Sequence, residues 1–314
     1  MKVLYNALGS AQPSDPLSKN ASAELCAYFN NKNVQCVVAD NNRDFVANLA
    51  DVTVIITQAW TGTFIDQTVL AAAPKLQLII VAGAEHSNID ADAVRDRKVT
   101  LAKVAHTSQY SYAEQQLYYI LKIAREQRRD LKHQQIGLIG LGQVAARLVE
   151  LLKPFAIKIN YYDPHKWESE EEAEYNLTWL PDAAAVVQDC DVVVSNCPLE
   201  IVGLLEGGTQ NLFDRKLLAH MKPGASLLLA SPAQTYNLQD VMVAHDAGLI
   251  RCVTNNELTW PNLTYQAEIL EHVKLIFDQW RKDKSLPPEW LLIDKGLFTS
   301  PPGCECFALG GWHQ

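Results

Sequence analysis

The sequence predicts an α/β protein made of doubly wound parallel sheets. Three features carry that prediction. Ten short apolar runs of strand length recur along the chain, and most are separated by amphipathic or polar stretches of helical length. The runs are apolar at successive positions, as strands covered on both faces require. In the middle of the chain a strand pattern passes into a helix through a glycine-rich turn.

In chain order the predicted strands are KVLYNAL, VQCVVAD, VTVIITQ, LQLIIVAG and VTLAKV, then IGLIGLG, IKINYYD, CDVVVSN, ASLLLAS and IRCVTNN. The two groups are joined by residues 108–132. There Leu117, Ile120, Leu121 and Ile123 form one apolar side and charged residues gather at the end, which predicts a long helix. A second long helix is predicted over 263–280. The Pro- and Gly-rich tail after it has two Trp and several aliphatic residues, and is expected to pack on the body. The acidic run Glu168–Glu174 reads as a solvated helical face.

The 314 residues are enough for two cores, and 48% hydrophobic with 20% charged residues is ordinary for a globular chain. A formal net charge of −9 argues against nucleic acid as a partner. No apolar run is long enough to cross a bilayer, and the N-terminus lacks a signal-peptide core, so no membrane and a cytoplasmic location are expected. Seven scattered cysteines do not form a disulfide framework, and Cys36, Cys190 and Cys252 read as inert core residues. Cys304 and Cys306 have no second Cys or His pair at metal-binding spacing, so no metal site is expected.

The glycine turn is Gly140-Leu-Gly142-Gln143-Val144-Ala145. Gly140 permits the tight turn, Gly142 lets a pyrophosphate approach the backbone, and Ala145 is small enough for helix to pack on strand. Free N–H groups at Gln143 and Val144 would face the phosphates. Asp163 ends the next strand pattern, where a carboxylate accepts hydrogen bonds from the adenosine ribose and repels a 2′-phosphate. The expected cofactor is therefore NAD, with His165 and Lys166 nearby as the feature that would favour NADP.

These segments, with LTWLPD, CDVVVSNCPLE, NLFDRKLLAHMKPGASLLLAS, AHDAGLI, SYAEQ and PEWLLIDKG, resemble the NAD-dependent D-2-hydroxyacid dehydrogenases, and within them most closely the formate dehydrogenases. The resemblance implies a Rossmann dinucleotide-binding domain, 109–261, inserted in a flavodoxin-like substrate domain, 1–108 with 262–314. It also implies a homodimer built partly on the helix of residues 111–128. It sets Pro198 against the adenine, Ala230 near the nicotinamide, and Asn256 where the family usually keeps an Asp that holds the carboxamide.

The resemblance also shows what is missing. Hydride transfer needs a fixed, desolvated carboxylate, which an arginine fork grips well, and oxidising an alcohol needs a base. Where the family has T-A-R-G this chain has Ala230-Ser231-Pro232-Ala233, so Pro232 stands at the arginine position. The loop with the family histidine is deleted, the Gly-rich substrate turn has become GAEHSNID with Glu85 in it, the formate-binding Asn is Ser108, and the His of S-V-A-E-H is Gln115. His86, His106 and Ser108 are the remaining catalytic candidates, and the two histidines read first as exposed or satisfied loop residues. Arg251 reads as a sheet-face residue.

Three readings follow. The first is an NAD(H)-binding protein without the family's usual catalysis. The second is an active oxidoreductase acting on an altered small molecule through other residues. The third is a scaffold.

Overall fold

The computed structural model describes residues 1–7, 16–58, 63–83, 86, 88–104, 108–199, 208–253, 263–294 and 296–298. Glu85, His106, Asn256, Cys304 and Cys306 lie outside the described residues, and for Ser108 only the backbone is described. The chain divides into two units, Met1–Ser108 with Trp260–Cys304, and Gln109–Thr259.

In the first unit the elements run β1 (Lys2–Asn6), α1 (Pro16–Asn31), β2 (Gln35–Ala39), α2 (Asn42–Ala47), β3 (Val54–Thr57), α3 (Gln67–Ala72), β4 (Leu78–Val81), α4 (Ala91–Asp96) and β5 (Thr100–Lys103). The parallel strands stand in the order β2-β1-β3-β4-β5. That is the flavodoxin-like order, with its topological switch between β1 and β3. Every residue of β1, β3, β4 and β5 is buried, which is why these strands read as continuous apolar runs.

Side chains on the last three of these helices set where each begins. Asn41, Asp66 and Asp90 accept N–H groups of the first turns of α2, α3 and α4. The later part of the unit supplies α11 (Leu263–Asp283), β12 (Leu291–Asp294) and β13 (Leu297–Phe298). The tail expected only to pack on the body instead extends the sheet: β12 runs antiparallel beside β5, with β13 outside it. The sequence LLID of β12 is a short, mixed run beside a Pro-rich stretch and β13 has two residues, so neither carries the long apolar run that marked the other strands.

The second unit runs α5 (Ser108–Glu126), β6 (Gln135–Ile139), α6 (Gln143–Leu152), β7 (Lys158–Tyr162), α7 (Ser169–Tyr175), β8 (Leu177–Trp179), α8 (Ala183–Val187), β9 (Val192–Ser195), α9 (Arg215–Leu218), β10 (Ala225–Leu229), α10 (Leu238–Asp246) and β11 (Ile250–Val253). Its six parallel strands stand in the order β8-β7-β6-β9-β10-β11, the Rossmann order, with the switch between β6 and β9.

Two apolar clusters cover the two faces. Ile136, Leu138, Val192, Val194 and Leu228 pack into one, with α5 and α6; Ile139, Val193, Leu227 and Leu229 pack into the other, with α8 and α10. Ten predicted strands are present, and β8 is an addition. Helix α5 ends at Glu126, short of residue 132, because Arg128 takes a left-handed φ of 54° and breaks the hydrogen-bonding repeat.

Two local readings change. Glu172 on α7 does not face solvent: it accepts the Tyr161 hydroxyl at 2.9 Å, and Lys166 lies 3.4 Å away. Cys36 and Cys252 are half-buried, so of the three cysteines read as core residues only Cys190 is fully enclosed.

The first unit is closed on one side by α1 against α11. Phe29 and Phe277 meet edge to face with ring centroids 4.8 Å apart, and both are fully buried. Phe277→Ala should lower the unfolding free energy by about 3–5 kcal/mol, read from the urea midpoint. A loss under 1 kcal/mol would show that this contact does not hold the unit together.

Candidate functional site

The loop between β6 and α6 lies at the switch of the second sheet, where ligands bind in open α/β folds. Gly140 has φ +91°, and a Cβ there would lie 2.8 Å from the Cys197 nitrogen and 2.9 Å from the Asn196 carbonyl carbon. Only glycine fits, because both the dihedral and the neighbouring backbone exclude a side chain. The turn is held on its other side by the Gly140 N–H donating to the Tyr162 carbonyl at 2.8 Å.

Gly142 is the residue before the first turn of α6, and no side chain caps that helix. A Cβ on Gly142 would meet nothing within 4 Å, so the space over the turn is open. The first-turn N–H groups at Gln143 and Val144, with the positive end of the helix dipole, suit an anion there. Ala145 is fully buried between α6 and the sheet, as its small size allows.

Asp163 follows β7 and turns back to the same loop. One carboxylate oxygen accepts the Leu141 N–H at 2.8 Å, and the other accepts the His165 N–H at 2.9 Å. The His165 ring nitrogen lies 3.6 Å from the carboxylate. Two N–H donors do not exhaust a carboxylate, which has about four lone-pair positions, so acceptor capacity remains for ribose hydroxyls. Open backbone at Gly142, an uncapped helix start and a fixed carboxylate are together what a dinucleotide requires.

The far side of the turn is built by the segment after β9. The Asn196 and Gln116 side-chain amides pair reciprocally, at 2.7 and 3.1 Å, and tie this segment to α5. Pro198 is exposed, and its carbonyl accepts the Thr209 hydroxyl at 2.6 Å.

The end of β10 is where an arginine was looked for. Ala230 is half-buried beside the core. Ser231 is 2% exposed; the Ser195 hydroxyl donates to it at 2.5 Å, and Cys197 Sγ lies 3.5 Å from it. Pro232 starts a single 3-10 turn over Ala233–Thr235, and its carbonyl accepts both the N–H and the hydroxyl of Thr235, at 2.9 and 2.7 Å. The strand end is thus closed by uncharged internal hydrogen bonds. Serine and cysteine residues 36 and 34 positions apart gave no local signal of this network.

Arg251 forms an ion pair with Glu126 and is committed to tying β11 to α5. His245 and His272 lie on α10 and α11, whereas His220 lies in the turn after α9.

In the first unit, His86 is half-buried, with its carbonyl accepting the Ile89 N–H at 3.0 Å. The strand ends around it carry a buried polar group absent from the sequence reading. The Asn6 and Asn88 amides both donate to the Thr57 hydroxyl at 3.3 Å, and Asn88 also donates to the Gln58 carbonyl at 2.9 Å. Thr57, Val81 and Lys103 stand in one register row. Lys103 is 6% exposed, and burial holds its ammonium below the usual lysine range. A single Lys inside an apolar run was the one available signal.

Among the described residues no group of His, Cys, Asp and Glu could hold a metal ion, and no helix is long and apolar enough to cross a membrane.

Residues 98–272 match the family model described as the D-isomer specific 2-hydroxyacid dehydrogenase, NAD binding domain. The chain is 29% identical over 239 residues to a formate dehydrogenase of Neurospora crassa, and 28% identical over 193 residues to one of Pseudomonas sp. (strain 101). These matches cover 69% and 54% of this chain but only 62% and 48% of the relatives' lengths. A formate dehydrogenase of Granulicella m. superposes with a TM-score of 0.82 at 18% identity, over 95% of this chain and 99% of that one. An NAD-dependent formate dehydrogenase from Staphylococcus aureus, in complex with NAD, gives 0.77 at 19% identity, over 93% and 99%. At these identities the superpositions establish the two-domain fold.

Gly140→Ala should destabilise the protein by about 1–3 kcal/mol through the strained φ and the backbone clash together, measured by urea unfolding. An unchanged midpoint would mean that the turn relaxes without cost.

Proposed function

The chain belongs to the D-isomer-specific 2-hydroxyacid dehydrogenase family and carries its NAD-binding domain, and from that premise we propose that it binds NAD(H) without performing the family's 2-hydroxyacid or formate oxidation. In this reading the second unit is the dinucleotide-binding domain and the first the substrate domain. The backbone at Gly140 and Gly142 and the N–H groups of Gln143 and Val144 take the pyrophosphate. Asp163 takes the adenosine ribose, Pro198 lies by the adenine and Ala230 by the nicotinamide. Asn256, the residue read for the carboxamide, is outside the described residues.

NAD, when bound, supplies the hydride acceptor. The chain must then fix the donor and desolvate its carboxylate. The observation that carries the proposal is the end of β10. Pro232 has no donor and no charge, and its carbonyl is engaged by Thr235. Ser231 is buried against Ser195 and Cys197. No side chain in Ala230–Ala233 carries a positive charge to pair with a carboxylate, and the formal charge at that segment is zero.

A second reading is favoured by Lys103. Burial makes the Lys103 ammonium easier to deprotonate than an exposed lysine, and a lysine so placed can take part in proton transfer. That suits an oxidoreductase acting on an uncharged carbonyl or alcohol.

One set of solution experiments separates the readings. In a fluorescence titration NADH should bind more tightly than NADPH. Asp163→Ala should weaken NADH about tenfold, roughly 1.5 kcal/mol, and narrow the preference over NADPH. Formate, lactate and glycerate should yield no NADH above background. Turnover of any of them overturns the reading of Pro232, and turnover of a neutral substrate that is lost in Lys103→Met moves the protein to the second reading.

The proposal includes a homodimer through α5, which leaves Tyr110 and Tyr118 exposed. Light scattering should give the mass of two chains; the mass of one chain would remove the dimer.

A further inference from the structure

Cys26 lies on α1 and Cys36 on β2, and their sulfurs are 2.7 Å apart. A disulfide bond is about 2.05 Å long. Both residues are half-buried and reduced. The distance reflects how the two elements are anchored, not a chance approach of two flexible side chains.

On the helix side, Leu25 and Phe29 are buried next to Cys26, and Phe29 meets Phe277 edge to face. Lys32, just past the end of α1, pairs with Asp278 at 2.6 Å. The chain then reverses through Asn33, with φ 56°, and buried Val34 before entering β2. On the strand side, Cys36 is in register with Val3 of β1. Each cysteine is therefore carried by a fixed backbone, and the sulfurs can separate only by rotation about their own side-chain bonds.

We propose that Cys26 and Cys36 are a redox-active pair that closes into an intrachain disulfide when the protein meets a peroxide, stapling α1 to β2. The balance is simple. The Cys26 thiol gives up its proton and the thiolate attacks one oxygen of the peroxide; the O–O bond breaks, a sulfenic acid forms, and the departing hydroxide takes up that proton as the first water. The sulfur of Cys36 then attacks the sulfenic sulfur. The S–O bond breaks, the S–S bond forms, and the second water carries off the Cys36 proton. Two thiols lose two electrons in all, and one peroxide becomes two waters.

The order of the two cysteines follows from their surroundings. Burial, and then the contact with Cys26, pushes the Cys36 thiol well above its usual range, which suits Cys36 to the resolving step. The inference concerns the first unit and is independent of whether the protein turns over a substrate.

The test uses the full chain, reduced, freed of reductant, and exposed to hydrogen peroxide. Remaining thiols are blocked with iodoacetamide before non-reducing proteolysis and mass spectrometry. The expected result is a peptide pair joined through Cys26 and Cys36 that separates on adding dithiothreitol, with two fewer alkylated thiols than in the untreated sample. Cys26→Ser and Cys36→Ser should each lose that species. Recovery of both peptides in alkylated form overturns the proposal. So does a bond from either residue to a different cysteine, or accumulation of sulfinic acid at Cys26 in place of the bond. The map of the unsubstituted chain decides the matter even if a serine variant fails to fold.

Discussion

The second unit depends on one close approach, the passage of the chain at Gly140 against the backbone of Asn196 and Cys197. The gap there admits no Cβ. That contact sets the distance between the ends of β6 and β9, the two strands at the topological switch. It also aims the loop so that the Leu141 N–H reaches Asp163 and the N–H groups of α6 face open space. The reciprocal amide pair of Gln116 and Asn196 holds the other side of the gap from α5. A dinucleotide site built this way is mostly backbone. It is tolerant of side-chain drift, provided the glycines, the small Ala145 and the acid at the next strand end are kept.

The end of β10 shows the opposite economy. A strand end at a ligand crevice has backbone and side-chain polar groups that must be satisfied either by a ligand or internally. Here they are satisfied internally. Ser195 and Cys197 both contact the Ser231 hydroxyl below the surface, and Thr235 occupies the Pro232 carbonyl. A guanidinium at position 232 would have required a partner or open water. Proline, with a fixed φ of about −65° and no N–H, instead shapes a short turn. The same exchange accounts for the closed strand end and leaves no charged side chain in Ala230–Ala233.

The first unit has kept polar groups of its own at its strand ends, with Asn6, Thr57 and Asn88 hydrogen-bonded together and Lys103 enclosed on the neighbouring row. Burying a lysine is costly, and burial lowers its pKa from the ordinary lysine value as a result. The placement of Lys103 at a strand end is what gives the second functional reading its weight. On the other side of the unit, the packing of α1 on α11 fixes the helix from which Cys26 reaches Cys36.

The sequence by itself determined what is local. Ten strands, the two long helices and the strand–turn–helix–strand–acid unit were legible because each depends on contacts within about 30 residues, and because strands covered on both faces leave a continuous apolar signature. Tertiary structure decided the rest. It added β8, β12 and β13, which no strand-length apolar run marks in the sequence, and it ended α5 at Glu126 through the left-handed Arg128. It enclosed Lys103, drew Glu172 in toward Tyr161, joined Ser195 to Ser231, and brought Cys26 to Cys36. Each of these is a contact between separate elements, or the burial such contacts impose. Residue order carries no direct record of such contacts, because they exist only once the sheets have formed and set the distances between their strand ends.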